Sequence, residues 1–452
     1  MSAREDWLAA RAYHALRAAL ESSALRLPPA IDAPTIDESL GFITDTLKKR
    51  DLPRCELTDF ITQFLQFAPR SETRSSLVRL LIMRLIIRFP RDFSRAIRGI
   101  LKRSKHERKL RRLDRENGRL PPLGESVACA YLDDASTIVR CYDGWADFDD
   151  ALQLLTPGGR GLWEGVAFTR CDTRRPDWVG VFTHTGRFPA IFSASPNRVF
   201  FAIGEPPIPE YRIYHSGQGS ASLVLSCDVD LCKEGSRDRN YLLGPALTRS
   251  WSVRKSYDEL VNSEFPEKSR SLSWITSNKS ALPGHRRRLE FLQRMRSRLD
   301  FDLYGKGFAP LIDKWDGLAP YRYSIAFENT SSPYYFTEKI MDCFVAGTMP
   351  IYYGSPTISE FFPAEAIVIF DPDDPDVFRK IDDIVRSDLY KQREKYLAEA
   401  KHLVLQKYNT FAYIAILIKS MDRPPQPTQH IHIKEIADPL KSQSSAGEPN
   451  LS

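Results

Sequence analysis

At 452 residues with 42% apolar content, the chain is long enough to build two core-bearing domains and further elements, and its formal net charge of +6 is modest. Seven cysteines, an odd number without a CxxC pair, support neither a disulfide framework nor a zinc site and suit a reducing compartment. The nearest approach to a membrane span, Leu77 to Ile87, is interrupted by Arg79 and Arg84 and falls short of the roughly 20 apolar residues a crossing needs.

Residues 1–118 read as a helical extension. Asp37 to Lys49 and Thr58 to Phe67 carry helical apolar spacing, and Ser75 to Phe89 is a strongly apolar helix ended by Pro90. The charge excess gathers here, with seventeen Lys or Arg against five Asp or Glu between Arg70 and Arg119. From Arg91 to Arg103, one helix face carries Arg91, Arg95, Arg98 and Lys102, and another carries Phe93, Ile97, Ile100 and Leu101. That pattern suits a basic amphipathic helix, with residues 75–105 touching an anionic membrane surface, or a helix packing its apolar face on the rest of the protein. No interleaved aromatic pattern or reader motif is present, so nucleic acid is not an expected partner. Met1 to Arg17 carries both signs of charge and lacks a long apolar core, so the expected location is the cytoplasm, peripheral to the membrane if the basic helix is engaged.

Residues 119–265 are rich in short strands, among them Val127 to Leu132, Gly165 to Thr169, Trp178 to Thr183 and Val199 to Ile203. The run Asn197 to Pro207 delivers Glu205 into a loop stiffened by Pro206 and Pro207, and Leu223 to Asp228 is again strand-like. The second domain spans 266–421. It opens with a strand through Trp274 that ends in Ser277-Asn278, after which Pro283-Gly284-His285-Arg286-Arg287-Arg288 starts a helix through Phe291 and Leu292. Phe301 to Gly305 supplies the next strand and its turn.

The densest pattern lies between Tyr321 and Pro363. Tyr323, Ile325 and Phe327 alternate as a strand, Asn329-Thr330-Ser331-Ser332-Pro333 breaks it, and a helix runs from about Thr337 to Ala346 with Thr337 as N-cap and Gly347 at its C-terminus. Met349 to Tyr353 is the following strand. Such a βαβ unit sets the 329–336 loop at the carboxyl edge of a parallel sheet, where open α/β sheets bind ligands. Lys339 offers a cation in the first helical turn, beside free N–H groups and the helix dipole, and Tyr335 offers a hydroxyl. Together they suit an anionic ligand such as a diphosphate, while Glu338 is placed to accept hydrogen bonds from ribose hydroxyls. Phe370 to Asp376 is acidic in the way that can hold Mn²⁺, but its prolines and its position after a strand favour a solvated turn. Phe411 to Met421 is a helix that can cross back to the first half, and 422–452 reads as a flexible tail.

Phe327-Glu328-Asn329, Tyr335-Phe336-Thr337-Glu338-Lys339 and Pro350-Ile351-Tyr352-Tyr353-Gly354-Ser355-Pro356, at this spacing, strongly resemble the α-1,3/α-1,4-fucosyltransferases of glycosyltransferase family 10, in a bacterial-type form. The resemblance covers about 150 residues of the second domain well and the first domain loosely. It implies an α/β, GT-B glycosyltransferase with two Rossmann-like domains, plus the N-terminal helical extension. The reaction implied is inverting transfer of fucose from GDP-fucose to a hydroxyl of a glycan acceptor, α-1,3 to a GlcNAc-containing or related sugar, with no cofactor and no tightly bound metal. Arg288 or Arg286 would meet the donor phosphates, together with Asn329, Tyr335, Glu338 and Lys339. Glu205 would be the general base for the acceptor hydroxyl. Another GDP-sugar as donor, or a silent glycan-binding or membrane-scaffold protein, are the alternatives.

Overall fold

Two mostly parallel sheets organise the computed structural model, which describes residues 132–143, 148–170, 176–183, 190–212, 222–234, 241–421 and 423–433. The expected helices of residues 1–118, the basic stretch among them, lie outside the described residues. So does most of the expected strand Val127 to Leu132; Leu132 itself opens a 3₁₀ turn, Leu132–Asp134.

The first sheet contains β1 (Thr137–Asp143), β2 (Leu162–Trp163), β3 (Val166–Thr169), β4 (Trp178–Phe182), β6 (Val199–Ala202), β7 (Leu223–Ser226) and β8 (Tyr241–Leu243), while β5 (Ala190–Ala194) stands apart from it. Its order is β2-β3-β1-β4-β6-β7-β8, with β2–β3 antiparallel and the other neighbours parallel. β3, β4, β6 and β7 are buried at every position, as parallel strands covered on both faces should be. Helices α1 (Phe148–Leu155) and α2 (Val229–Glu234) belong to this half, and α3 (Tyr257–Val261) leads out of it.

The second sheet runs β10 (Asp302–Tyr304), β9 (Arg270–Ile275), β11 (Tyr321–Phe327), β12 (Met349–Tyr353) and β13 (Val368–Ile369), all parallel. α4 (Pro283–Arg296) and α5 (Glu338–Val345) are its crossover helices at the site, and α6 (Val377–Arg386), α7 (Leu389–Gln392) and α8 (Glu394–Gln406) follow β13. Trp274, Phe291, Phe327 and Phe370 fill the space between β9, β11 and α4, with ring centroids 5.2–6.1 Å apart along Trp274–Phe291–Phe370 and Trp274–Phe327.

α9 (Thr410–Ser420) packs against residues of the first half. Phe411 packs against Phe148, Phe168 and Phe182 at 5.9, 5.0 and 6.4 Å, and the buried Asn409 amide donates to the Leu155 carbonyl at 2.7 Å. Both sheets fall within one compact unit. This is a two-sheet α/β architecture.

One expectation is corrected. Residues 423–433, read as part of a flexible tail, continue past α9 and form β14 (Gln429–Ile433), which pairs with β5. Arg198 Nε donates to the Arg423 carbonyl and Asn197 Nδ2 to the Pro424 carbonyl, while Ile431 and Ile433 are buried. Polar composition hid this strand because its partner lies more than 230 residues earlier.

Candidate functional site

The site forms where β9, β10 and β11 end. Thr276 donates its N–H to the Tyr304 carbonyl and Asn278 donates to Lys306, so the two loops leaving β9 and β10 stay zipped beyond the sheet. Gly305, at φ +116°, allows this approach, since a Cβ there would stand 1.9 Å from the Thr276 carbonyl oxygen. Gly284 does the same for the start of α4, where a Cβ would meet the Asn329 carbonyl oxygen at 1.6 Å. These contacts bring the N-terminal turns of α4 and α5 to the same edge. Between them opens a cleft of about 580 Å³, lined by Thr276 and Ser277, the 305–312 loop, Arg288, Lys314, Phe327, Glu338, Lys339, and Ser252 with Arg254 from the connection between the sheets.

α4 presents one of its arginines inward. Arg288 shares the helix face of the buried His285, Leu292 and Met295, and is 4% exposed. Its Nη1 donates to Asn329 Oδ1 at 2.8 Å and its Nη2 to the Ser277 carbonyl at 3.1 Å, while the buried Nε has no hydrogen-bond partner. Burial lowers the Arg288 pKa, opposed by nearby Glu328. Arg286 turns away: its Nη1 caps the Ser280 and Ala281 carbonyls at 3.3 and 3.1 Å, and it does not line the cleft. Arg287 points to the opposite side, pairing with Asp373 and lying over the Tyr353 ring.

α5 is capped by Thr337, whose Oγ1 accepts from Lys339 N at 3.4 Å. The completely buried Glu328 at the end of β11 accepts from Thr337 N and Oγ1, both at 2.8 Å, and from Lys339 Nζ at 2.9 Å. Lys339 therefore lines the cleft while neutralising a buried carboxylate. Burial would lower its pKa, but Glu328 and then Glu338 outweigh this and raise it. Glu338 also faces the cleft, its Oε1 3.9 Å from Lys339 Nζ and 3.7 Å from Lys314 Nζ. Burial pushes the Glu338 carboxyl up, the two ammonium groups pull it down more strongly, and it settles at about 2.

The positive field reaches further. His285 is held down at about 4, first by burial and then by Arg288, Lys279, Lys339 and Arg286, so the imidazole is neutral at ordinary pH.

Besides Arg286, three expected site residues are not in the cleft wall: Asn329, whose Oδ1 accepts from Arg288, and Tyr335 and Glu205, which lie towards the first half. Tyr335 is 2% exposed and absent from the cleft wall; it packs with Cys227 and Ala246 of the first half. Burial, followed by the charges of Glu328, Glu338 and Glu205, holds its phenol far from ionisation. The residue before it, Tyr334, has φ +64°, and its carbonyl accepts from Ala246 N at 3.2 Å, which turns the loop towards the first half. Glu205 follows β6 at the carboxyl edge of the first sheet, outside the cleft wall, with its carbonyl 3.9 Å from Cys227 Sγ. Its charge is felt by Tyr335 and Cys227, which sets it on the first sheet's side of the boundary between the halves.

Sequence reasoning missed Lys314, Lys306 and Arg254 in the cleft wall. Lys314 lies in a 3₁₀ turn, Lys314–Gly317, entered through Asp313, whose carboxylate caps Trp315 N and accepts from Arg254 N at 2.9 Å. The Asp-x-Trp cap was the available signal. The declined acidic run is occupied by protein cations: Asp373 pairs with Arg287, Asp374 with Lys380 and Asp376 with Arg379. Among the described residues no group of three or more His, Cys, Asp and Glu is arranged to hold a metal, and no helix is long and apolar enough to cross a membrane.

Fold and cleft together define a two-sheet α/β architecture with a predominantly cationic cleft at the carboxyl edge of its second sheet. Residues 265–398 match the family described as glycosyltransferase family 10 (fucosyltransferase) C-term. Similar relatives include "Alpha-(1,3)-fucosyltransferase 7" of Homo sapiens, 33% identical over 112 residues, 24% of this chain and 32% of the relative. "Alpha-(1,3)-fucosyltransferase FucT" of Helicobacter pylori is 39% identical over 56 residues, 12% of each chain. "GDP-fucose protein O-fucosyltransferase 3" of Rattus norvegicus is 42% identical over 52 residues, 12% of this chain and 11% of the relative. The matched stretches thus span less than a third of these relatives' lengths. A solved structure titled "Crystal Structure of alpha1,3-Fucosyltransferase" overlaps with a TM-score of 0.36 at 17% identity, covering 68% of this chain and 100% of that one.

Proposed function

We propose that the protein transfers fucose from GDP-fucose to a hydroxyl of a glycan acceptor, with inversion and without a bound metal. The observation that carries this reading is the charge of the cleft wall: Arg254, Arg288, Lys306, Lys314 and Lys339 against the single carboxylate Glu338. Glu328 and Asp342 behind the wall offset Lys339 and Lys314, and the balance still favours an anion. A nucleoside diphosphate sugar supplies that anion together with hydroxyls for Glu338. As the glycosidic bond to the sugar breaks, the diphosphate gains negative charge, and fixed cations in a partly desolvated cleft favour that change without reorganising. The N–H groups at the starts of α4 and α5 add donors at the same edge.

Glu205, on the first sheet's side, is the proposed base that takes the acceptor proton while the hydroxyl attacks the anomeric carbon from the face opposite the leaving group. The acceptor then lies towards the first sheet. Similar relatives are named α-(1,3)-fucosyltransferase and protein O-fucosyltransferase, so both acceptor classes belong in the test. The basic stretch 75–105 is proposed to hold the enzyme on an anionic cytoplasmic membrane face, an association that rising salt should weaken.

The test is GDP release by purified protein from GDP-fucose, GDP-mannose and other GDP-sugars, each with a panel of glycan and protein acceptors. Acceptor-dependent release from GDP-fucose is expected. Turnover of another GDP-sugar alone would replace the donor, and binding without turnover of any donor would reassign the chain to a silent glycan-binding role.

A further inference from the structure

The N-terminal turn of α5 carries an alternating row of charges that the donor motif by itself does not contain. Asp342 lies one turn beyond Glu338 and is 2% exposed; its Oδ1 accepts from Ser252 N at 2.6 Å and Val253 N at 3.2 Å, and its Oδ2 accepts from Lys314 Nζ at 2.9 Å. Lys314 Nζ stands 3.7 Å from Glu338 Oε1, and Lys339 Nζ stands 3.9 Å from the same oxygen while bonding to Glu328 at 2.9 Å and Thr337 Oγ1 at 3.0 Å. Each ammonium therefore directs its hydrogen bonds elsewhere and gives Glu338 charge without occupying a lone pair at hydrogen-bond distance. A carboxylate that must accept ligand hydroxyls needs this arrangement: ionised, and charged by cations that do not occupy its lone pairs.

We propose that Lys314 is a positioning residue of the donor site, which keeps Glu338 charged and aimed into the cleft so that it accepts the hydroxyls of a nucleoside diphosphate sugar. This rests on the reading of the cleft as a donor site. It adds a residue from a different segment, 24 positions before Glu338, whose own anchor is a buried aspartate rather than the ligand. The charged and titratable groups facing Glu338 are Lys339 and Asp342 on its own helix, Lys314 from the 3₁₀ turn, and Tyr335 from the loop before the helix. Of these, only Lys314 and Lys339 favour its ionised form. Lys339 and the Thr337 hydrogen bond still favour the ionised form when Lys314 is lost, so the Glu338 carboxyl should rise only part of the way and begin to protonate as pH approaches 4.5.

The experiment is calorimetric binding of GDP-fucose, whose esterified diphosphate does not titrate in this range, between pH 4.5 and 7.5. Binding to the wild type should vary little with pH. An opposite charge within about 4–6 Å typically moves a carboxyl by one to three pH units, so Lys314→Gln should lose affinity as pH falls towards 4.5, several-fold more than at pH 7.5. Lys314→Arg should restore the flat profile. Since Lys314→Gln weakens a buried pair, Lys314→Met combined with Asp342→Asn provides a variant with no buried charge left alone. It should show the same acid-sensitive binding with a normal near-UV circular dichroism spectrum.

A flat profile in folded Lys314→Gln and in the double variant, with Glu338→Gln weakening binding at every pH, would overturn the role of Lys314 and leave the donor site standing. If Glu338→Gln binds GDP-fucose as the wild type does, or if the wild type does not bind it, the reading of the site fails and this inference with it.

Discussion

Lys339 has two roles in the structure, and one substitution with its compensating partner separates them. Its ammonium lies 2.9 Å from Glu328, which is fully buried, and the lysine side chain itself is 23% exposed. Lys339→Ala leaves a buried carboxylate without its cation. Breaking a buried pair from one side typically costs about 3–5 kcal/mol. The lower end, about 3 kcal/mol, is expected, because Thr337 N and Oγ1 still bond Glu328 at 2.8 Å. At about 2–4 °C per kcal/mol for a unit of this size, the thermal midpoint should fall by about 6–12 °C. Lys339→Met with Glu328→Gln removes both charges and keeps the acceptor for Thr337, so most of that stability should return. Donor affinity should stay low in both variants, by roughly ten- to a hundredfold, since a charge-assisted hydrogen bond contributes about 1.5–3 kcal/mol. Differential scanning fluorimetry and GDP-fucose calorimetry on the same samples give the answer. Recovery of affinity in the double variant would show that Lys339 supports the fold alone, and an unchanged midpoint in Lys339→Ala would refute the argument from the buried pair.

Arg288→Ala should reduce GDP-fucose affinity at least tenfold while Arg286→Ala, whose guanidinium caps two carbonyls outside the cleft, stays within about twofold; the reverse order in calorimetry would transfer the role to Arg286. Glu205→Gln should retain donor binding and lower turnover by about 10²–10⁴-fold, and transfer near the wild-type rate would require another base. EDTA should leave substantial transfer activity, because Asp373 and Asp374 already pair with Arg287 and Lys380; complete loss restored by Mn²⁺ and abolished by Asp373→Ala with Asp374→Ala would reinstate the acidic run as a metal site. Lys268, whose Nζ donates to Ala319 O, Ala346 O and Thr348 Oγ1, is lowered by burial to about 7. Between there and the ordinary lysine value the unfolded chain binds the extra proton, so stability should rise with pH across about 7–10 and level off above. Lys268→Met should flatten that slope in urea titrations, and a slope equal to wild type would assign it to another group.

Sequence legibility was greatest where the determinants are local. The N-cap Thr337, the apolar face Ile340, Met341, Phe344 and Val345, and Gly347 at φ +65° lie within eleven residues, and α5 formed where that spacing placed it. The choice among Arg286, Arg287 and Arg288 was legible in principle for the same reason: only position 288 shares a helix face with His285, Leu292 and Met295. Burial of Tyr335 against Cys227 and Ala246, the arrival of Lys314 beside Glu338, and the pairing of β14 with β5 are not local. Each joins segments whose separation leaves no periodic trace, and each is decided by where the closing chain sets a buried charge, ring or strand edge against a distant partner. The motif thus identifies which helix start meets the ligand. Which side chains face the cleft, and which are already committed to a buried neighbour, follows from packing, because a buried carboxylate must find its cation wherever the fold brings one within reach.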